Sequence, residues 1–218
     1  MKKNALAVLL FGGLWGISEA TVGYLAHLLF PGMGWMFYYP LAYGFMRGAY
    51  KQTGKSSVVF LCGLLSAAIK LINLPITPRL DYVINPAVSI VLEGLTLSLA
   101  FRWICDTNRP MVRFFLLPFL TSAAWRGLYL LYLLLAPDWI REISVLYQPE
   151  KLLRFATLEL LGTGLIIALW SIGASLLMKY HKKPFSKRFA NGQGFLNRSS
   201  GALAIASVCL AVLLQWIF

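Results

Sequence analysis

The 218-residue chain is 59% hydrophobic and only 13% charged, whereas a soluble domain carries about 25% charged residues. A soluble fold of this length has too little interior to bury so much apolar surface, so the composition excludes a soluble globular protein. The net charge of +12 comes from short basic clusters between apolar segments. That distribution favours loops flanking a membrane over a nucleic-acid-binding face, so we expect the lipid bilayer, and no nucleic acid, as a partner.

Seven apolar segments follow one another along the chain, and we predict that each is a membrane-spanning helix. They cover residues 5–30, 35–50, 56–76, 87–104, 112–136, 155–180 and 201–218. The first segment is too long for the core of a signal peptide, so we expect it to be retained. The second is short and contains Pro40 and Gly44, which indicates a tilted or partly re-entrant helix. Residues 137–154 are amphipathic and are expected to lie along the interface.

These segments predict an all-α, polytopic membrane bundle of about seven transmembrane helices. We expect a six-helix core with an outward-facing polar pocket in residues 1–180, a basic cytoplasmic loop in residues 181–200 and a C-terminal transmembrane helix in residues 201–218. Of the 20 Lys and Arg residues, 14 flank the segments on the side of the N-terminus and 4 on the other side. The positive-inside rule therefore predicts a multi-pass protein of the cytoplasmic membrane, with its N-terminus in the cytoplasm and its C-terminus outside.

Five ionisable residues interrupt the apolar segments: Glu19, Lys70, Glu93, Arg126 and Glu159. A charge at the centre of a membrane helix costs about 2.5–3.5 kcal/mol, and a leucine or isoleucine returns only about 0.3–0.6 kcal/mol. We therefore expect these side chains to face the bundle interior, a partner or water. In the predicted orientation all five collect in the outer half of the membrane.

Helical spacing aligns further polar residues with these charges. Asn85 and Glu93 share a helix face with Ser89 and Thr96, and Ser122, Arg126 and Tyr129 share another. We predict an outward-open polar cavity for a small polar or zwitterionic solute, with Trp125 or Tyr129 available to stack on a ring. The predicted binding residues are Glu19, Lys70, Asn73, Asn85, Glu93, Trp125, Arg126, Tyr129 and Glu159. For any single charge, an ion pair that only fixes helix packing remains an equal alternative.

The first segment also carries a ridge of small residues. Gly12, Gly16 and Ala20 recur every four residues, a spacing that permits close helix approach within a chain or to a partner. We predict a partner-docking role for this ridge. The cysteines are isolated from one another and from histidines, so we expect no metal site, and we predict no cofactor.

Three stretches carry a family resemblance: residues 30–40 with Pro31, Gly32 and Pro40, residues 63–70, and residues 85–94 with Asn85 and Glu93. Together with the pocket and the ridge, they resemble uncharacterised S components of energy-coupling factor (ECF) vitamin transporters over roughly residues 5–180. The resemblance implies a six-helix core that captures a vitamin-like solute at a bacterial inner membrane. It also implies docking of a transmembrane coupling subunit at Gly12, Gly16 and Ala20, and ATPases on separate chains.

Three other functions remain open. Ser66 and Lys70 stand four residues apart and would suit a nucleophile and a base in an intramembrane enzyme, although the chain has no recognised hydrolase motif. An autonomous ion-coupled secondary transporter would use Glu19, Glu93 and Glu159 as proton or sodium sites. In a structural membrane subunit, the charges would serve packing alone.

Overall fold

A computed structural model describes residues 2–29, 33–107, 109, 111–180 and 201–216. These residues form helices and connecting turns, with no strand among them. The α-helices are α1 (Lys2–Leu29), α2 (Tyr38–Thr53), α3 (Ser56–Leu71), α4 (Asp81–Asp106), α5 (Leu117–Leu135), α6 (Asp138–Arg141), α7 (Pro149–Ala156), α8 (Leu158–Tyr180) and α9 (Gly201–Trp216). A π-helix, Val112–Leu116, leads directly into α5. The basic loop predicted for residues 181–200 lies outside the described residues.

Four helical stretches are long and apolar enough to cross a membrane: Lys3–Val22, Asp81–Ile104, Val112–Leu135 and Pro149–Gly173. The helices α3 and α9 are apolar but have 16 residues each, a length of about 24 Å. The hydrocarbon core of a bilayer is about 30 Å thick. The described chain is therefore all-helical with four candidate membrane spans, which indicates a membrane protein, and the predicted number of about seven spans is not confirmed.

Several helix boundaries differ from the sequence prediction, and α3, for example, ends at Leu71 rather than at residue 76. Helix α4 begins at Asp81, inside the stretch expected to be a loop, and it contains Pro86. Pro86 is only the sixth residue of α4, so it removes a single backbone hydrogen bond near an end where the first four N–H groups have no helical partner anyway. The predicted segment 155–180 is divided at Thr157, which separates the amphipathic helix α7 from α8.

Glycines bring the central helices into close contact. Gly63 of α3 faces Gly94 of α4, and a Cβ atom added to either would lie 3.1 Å from the Cα atom of the other. Backbones approach this closely only where both residues lack a side chain. The pair α3 and α4 forms the centre of the bundle, with Trp15 of α1 and Phe101 of α4 fully buried beside it.

The small-residue ridge of α1 is covered by helices of the same chain. A Cβ atom on Gly12 would meet Cys62 and Leu65 of α3, and the neighbouring Gly13 lies against Ser207 of α9. The Ser207 hydroxyl also donates a hydrogen bond to the backbone oxygen of Leu9, at 3.1 Å.

The remaining two ridge positions are also buried. Gly16 contacts Ile69 of α3 and Ala211 of α9, and Ala20 faces the cavity described below. A partner would reach Gly12 only if α3 moved away, and Gly16 only if both α3 and α9 did. Docking at Gly12, Gly16 and Ala20 therefore stays a prediction that requires this rearrangement.

The contact between α3 and α4 makes Gly63→Ala a sensitive substitution. The added methyl group would press on the backbone of Gly94, which can move only with its helix, so we expect the free energy of unfolding to fall by about 1–3 kcal/mol. The measurement is equilibrium unfolding in mixed detergent micelles.

Gly127→Ala is the matched control, because a Cβ atom there would meet nothing within 4 Å. Alanine is the better helix former by about 0.8–1.0 kcal/mol, so stability should stay the same or rise. Equal stability of the Gly63→Ala variant and the unmodified protein would contradict the packing described here.

Candidate functional site

A cavity of about 940 Å³ lies inside the bundle, within the range of roughly 300–1,000 Å³ that is usual for small-molecule sites. Helices α1 to α5 and α7 to α9 contribute to its wall. All nine binding residues predicted from the sequence line it, namely Glu19, Lys70, Asn73, Asn85, Glu93, Trp125, Arg126, Tyr129 and Glu159. The polar stripes on separate helices therefore meet at one place. Their role in binding stays a prediction.

Arg126 is held rigidly in the wall between α5 and α8. Its side chain is only 4% exposed, and Nη1 donates a hydrogen bond to the Ser122 hydroxyl one turn earlier on α5. Nη2 reaches across to α8, where it donates to Thr163 Oγ1 at 3.2 Å and to the Glu159 backbone oxygen at 3.3 Å. The guanidinium thus bridges two helices through neutral oxygen atoms rather than through a carboxylate.

Aromatic rings surround the same guanidinium. Its carbon Cζ lies 4.5 Å from the ring centroid of Trp125 and 5.2 Å from that of Phe155, distances typical of cation–π contacts. Trp125 also packs against Tyr39, with the ring centroids 5.8 Å apart. The rings fix the orientation of Arg126 and give the cavity a flat apolar surface beside a positive charge.

Glu93 of α4 supplies a buried carboxyl group to the cavity. It is 5% exposed, and its Oε2 atom has no hydrogen-bond partner among the described residues. Across the described part of the chain, no ion pair of 4.0 Å or less joins Lys70 or Arg126 to a carboxylate. The ion-pair alternative therefore has no such contact for these two cations. It does have one for Glu159, whose Oε1 atom lies 3.6 Å from Arg154 Nε.

The opposite wall joins α1, α3 and α9. Glu19 accepts a hydrogen bond from Trp15 Nε1 at 3.2 Å, one helical turn away on α1. Asn73 Nδ2 donates to Gln215 Oε1 at 2.8 Å, which links the end of α3 to α9. The C-terminal helix, whose role the sequence did not indicate, thus contributes a polar side chain to the cavity.

The loop between α3 and α4 borders the cavity at one end. Arg79 donates two hydrogen bonds to Asp81, from Nε to Oδ1 at 3.1 Å and from Nη2 to Oδ2 at 2.8 Å. Its guanidinium carbon lies 4.1 Å from the ring centroid of Tyr82. Hydrogen bonding to the Asp81 carboxylate raises the pKa of Arg79. Residues 143–145 line the cavity near the same loop.

Several lining residues were missed in the sequence prediction. They include Trp35, Tyr39, Asp81, Ser144, Phe155 and Gln215. Gln215 carried a usable signal, because it is the one amide in an otherwise apolar C-terminal segment. Tyr39 and Phe155 gave none, since aromatic residues near helix ends are also expected as interfacial anchors.

Seven buried polar atoms of the lining residues have no hydrogen-bond partner within the described ranges. They are Trp35 Nε1, Tyr39 Oη, Asn73 Oδ1, Glu93 Oε2, Trp125 Nε1, Arg126 Nε and Gln215 Nε2. Native proteins leave few such groups unsatisfied, because each costs about 1–3 kcal/mol. The set combines donors with acceptors, so it suits a solute that carries both kinds of group.

The described residues form neither the Ser66–Lys70 pair nor a cluster of metal ligands. Ser66 is buried, and its Oγ atom has no hydrogen-bond partner among the described residues, so the Ser66–Lys70 pair of the enzyme alternative is not formed. Among those residues there is also no group of three or more His, Cys, Asp or Glu side chains that would hold a metal ion.

Comparison with protein-family models, characterised proteins and solved structures finds no match to this chain.

The bond between Asn73 and Gln215 predicts energetic coupling between α3 and α9. Hydrogen bonds between membrane helices average about 0.6 kcal/mol and reach about 1.7 kcal/mol. We expect a coupling energy in this range from a double-mutant cycle of Asn73→Ala and Gln215→Ala, measured by unfolding in mixed micelles.

The control cycle pairs Gln215→Ala with Asn85→Ala. Asn85 lines the same cavity but accepts its hydrogen bond from Tyr132, so the two effects should add. Additive effects in the Asn73 cycle would mean that α9 is not bound to α3 in this way.

Proposed function

We propose that this protein is the solute-binding membrane subunit of an importer, which captures a small vitamin-like solute from outside and passes it inward with ATP-driven partner subunits. The observation that carries this proposal is the cavity, in which a fixed Arg126 and a buried Glu93 face the same space without pairing. A charge buried in a membrane helix is costly, and such residues usually mark a substrate or ion path.

The chemistry of the wall favours a zwitterionic or otherwise polar solute that contains a ring. Arg126 presents donors that suit a carboxylate or another anionic group. Glu93 and Glu19 would accept hydrogen bonds from an amine or a ring N–H. The faces of Trp125 and Tyr129 would stack on a flat ring. A purely apolar solute would leave Arg126 Nε and Glu93 Oε2 unsatisfied.

The proposed architecture keeps seven crossings. The four candidate spans would be completed by α2, α3 and α9, which are shorter than a usual span. Short helices are tolerated where the bilayer thins or where flanking side chains reach the interface. This arrangement keeps the N-terminus in the cytoplasm, as the positions of Lys and Arg favour, and lets the cavity open outward.

Energy would come from other chains, as the resemblance to ECF S components implies, because the sequence contains no phosphate-binding Walker A loop. A coupling subunit that uses Gly12, Gly16 and Ala20 would have to displace α3 from Gly12, and both α3 and α9 from Gly16. The exposed apolar faces of the bundle offer such a subunit a further docking surface. Where no subunit binds, these faces would contact lipid.

One observation keeps an autonomous ion-coupled transporter as the second candidate. Glu19, Glu93 and Glu159 line the same cavity, so protonation of one would change the field at the others. Solute uptake by the purified single chain in liposomes, driven by a proton or sodium gradient, would favour this candidate over an importer subunit.

The binding proposal predicts the behaviour of two variants. Native mass spectrometry of the gently purified protein would first identify the bound solute. We expect Arg126→Gln and Glu93→Gln each to weaken its binding by roughly tenfold to a hundredfold, because a hydrogen bond to a charged group contributes about 1.5–3 kcal/mol. Isothermal titration in detergent measures the change.

Arg102→Gln and Glu150→Gln serve as controls, since both residues are exposed and lie outside the cavity. The affinity of these two control variants for the solute should equal that of the unmodified protein. Unchanged affinity in both cavity variants would refute the assignment. The same mass spectra test the partners, because ATPase chains should accompany an importer subunit, whereas a lone chain would favour the second candidate.

The proposed orientation predicts which positions are reached from outside the cell. In a variant without native cysteines, Trp139→Cys should react with a membrane-impermeant maleimide on intact cells. Lys55→Cys should react only after the membrane is opened. Both positions are exposed in the structure, so accessibility to the reagent depends on the side of the membrane. The reverse labelling pattern would mean that the cavity opens to the cytoplasm, and it would exclude capture of a solute from outside.

A further inference from the structure

Asn73 and Gln215 meet in the wall of the cavity, where the turn after α3 faces α9. The Asn73 backbone is fixed in that turn, because its carbonyl oxygen accepts hydrogen bonds from the N–H groups of Ile76 and Thr77 at 3.1 and 3.0 Å. Gln215 is 4% exposed and lies one helical turn after Ala211, which packs against α1. The two amide side chains therefore extend from backbone that is held in place on both sides.

One hydrogen bond joins the two amides, and it leaves part of each unsatisfied. Every side-chain amide carries one carbonyl oxygen and one NH₂ group. Asn73 Nδ2 donates to Gln215 Oε1 at 2.8 Å, whereas Asn73 Oδ1 and Gln215 Nε2 are buried without a hydrogen-bond partner within the described ranges. Exchanging oxygen and nitrogen in both amides would reverse the bond but leave the same remainder. The pair therefore presents one unsatisfied acceptor and one unsatisfied donor on neighbouring side chains.

An acceptor beside a donor selects a ligand by the arrangement of its polar groups. A carboxylate offers acceptors only, so it would satisfy Gln215 Nε2 and repel Asn73 Oδ1. An ammonium group offers donors only and fails at the other atom. An open-chain amide carries both groups, but its usual trans form points the N–H and the C=O to opposite sides. A small ring holds the amide in the cis form, so the N–H and the C=O lie along one edge.

The aromatic wall of the cavity suits the body of such a ring. Trp125 and Tyr129 line it from α5, with their ring centroids 6.4 Å apart and their planes inclined by 60°. Aromatic faces of this kind bind flat solutes by stacking. The cavity volume of about 940 Å³ leaves room for a fused ring system.

We propose that Asn73 and Gln215 form a subsite of the cavity that recognises the N–H and C=O edge of a cyclic amide or cyclic ureide. The unsatisfied acceptor binds the ring N–H, the unsatisfied donor binds the ring C=O, and the aromatic wall stacks on the ring. This inference rests on the proposed solute-binding function and adds the class of ring that the solute carries. Because Gln215 belongs to α9, the subsite is incomplete without the C-terminal helix.

Two probe compounds that differ only at the amide edge test the proposal. The first, 2-quinolone, is a flat bicyclic lactam with adjacent N–H and C=O groups, and its N-methyl derivative lacks the N–H. We expect the purified full chain to bind 2-quinolone about tenfold more tightly than the N-methyl compound, since a buried acceptor left without a donor is costly. Saturation-transfer NMR in detergent, titrated with each compound, measures the two affinities.

Gln215→Glu should reverse the selectivity of the subsite. The substitution replaces the donor Nε2 by an acceptor with almost the same shape, so the pair would present two acceptors. Protonated 2-aminoquinoline carries two donors on the corresponding edge. We expect its affinity to rise about tenfold while that of 2-quinolone falls by a similar factor.

Asn85→Asp is the matched control for Gln215→Glu. It adds the same charge to the same cavity and keeps the acceptor oxygen for Tyr132. The Asn85→Asp variant should therefore bind 2-quinolone as the unmodified protein does. An equal loss in both variants would indicate a general charge effect and overturn the subsite.

Three further results would overturn it. One is equal affinity for the two quinolones, or no binding of either, which would assign the two amide atoms to a bridging water molecule. Another is unchanged selectivity in the Gln215→Glu variant. The third is a co-purified solute that has no N–H next to a C=O. Loss of binding of that solute in Arg126→Gln would then leave the proposed function standing, so the two failures are distinguishable. The comparison of quinolones on the unmodified protein stays decisive if Gln215→Glu lowers the yield of folded protein.

Discussion

A buried guanidinium in a membrane bundle requires hydrogen-bond acceptors from the protein, because lipid tails supply none. Arg126 meets this constraint with Ser122 on its own helix and with Thr163 and the Glu159 carbonyl on α8. The same contacts fix the distance between α5 and α8, and the rings of Trp125 and Phe155 close around the charge. Arg126 thereby brings a positive charge next to the aromatic side chains of the large cavity.

The C-terminal helix completes the enclosure from the other side. Gln215 binds Asn73, Ser207 binds the backbone of α1, and Ala211 fits against Gly16. A ridge of small residues in one helix therefore serves at least one purpose within the chain, which is to seat α9 closely. Any partner that needs the same ridge competes with a helix tethered to the bundle, and a tethered competitor acts at a high effective concentration.

The sequence predicted the cavity residues where a charge facing lipid would have cost too much free energy. The cost of Glu19, Lys70, Glu93 and Arg126 in apolar segments, together with their helical spacing, predicted that they face one space, and the structure brings them to one cavity. Contacts between distant segments were not predictable. Nothing local indicates that Gln215 reaches Asn73, or that the chain breaks at Thr157 within an apolar run, since both depend on how the helices pack.

The lengths of the individual helices were also poorly predicted. The helices α3 and α9 end after 16 residues, while α4 has 26, so hydropathy alone does not separate a full crossing from a partial one. The contact between Gly63 and Gly94 was not predictable either, because neither glycine has a distinctive sequence context in its own segment. The role of the pair is evident only in the packed structure, where a Cβ atom on either glycine would lie 3.1 Å from the Cα atom of the other.

A polar cavity within the bundle also changes the electrical profile of the membrane around it. Potential falls mainly across the insulating part of the path, and a space open to water at one end shortens that part. The drop in membrane potential is then concentrated over the remaining apolar layer. It corresponds to about 2.3 kcal/mol per elementary charge per 100 mV. Residues at the closed end, rather than those at the mouth, would experience most of the electric field, so voltage would act on release of a charged occupant more than on its entry.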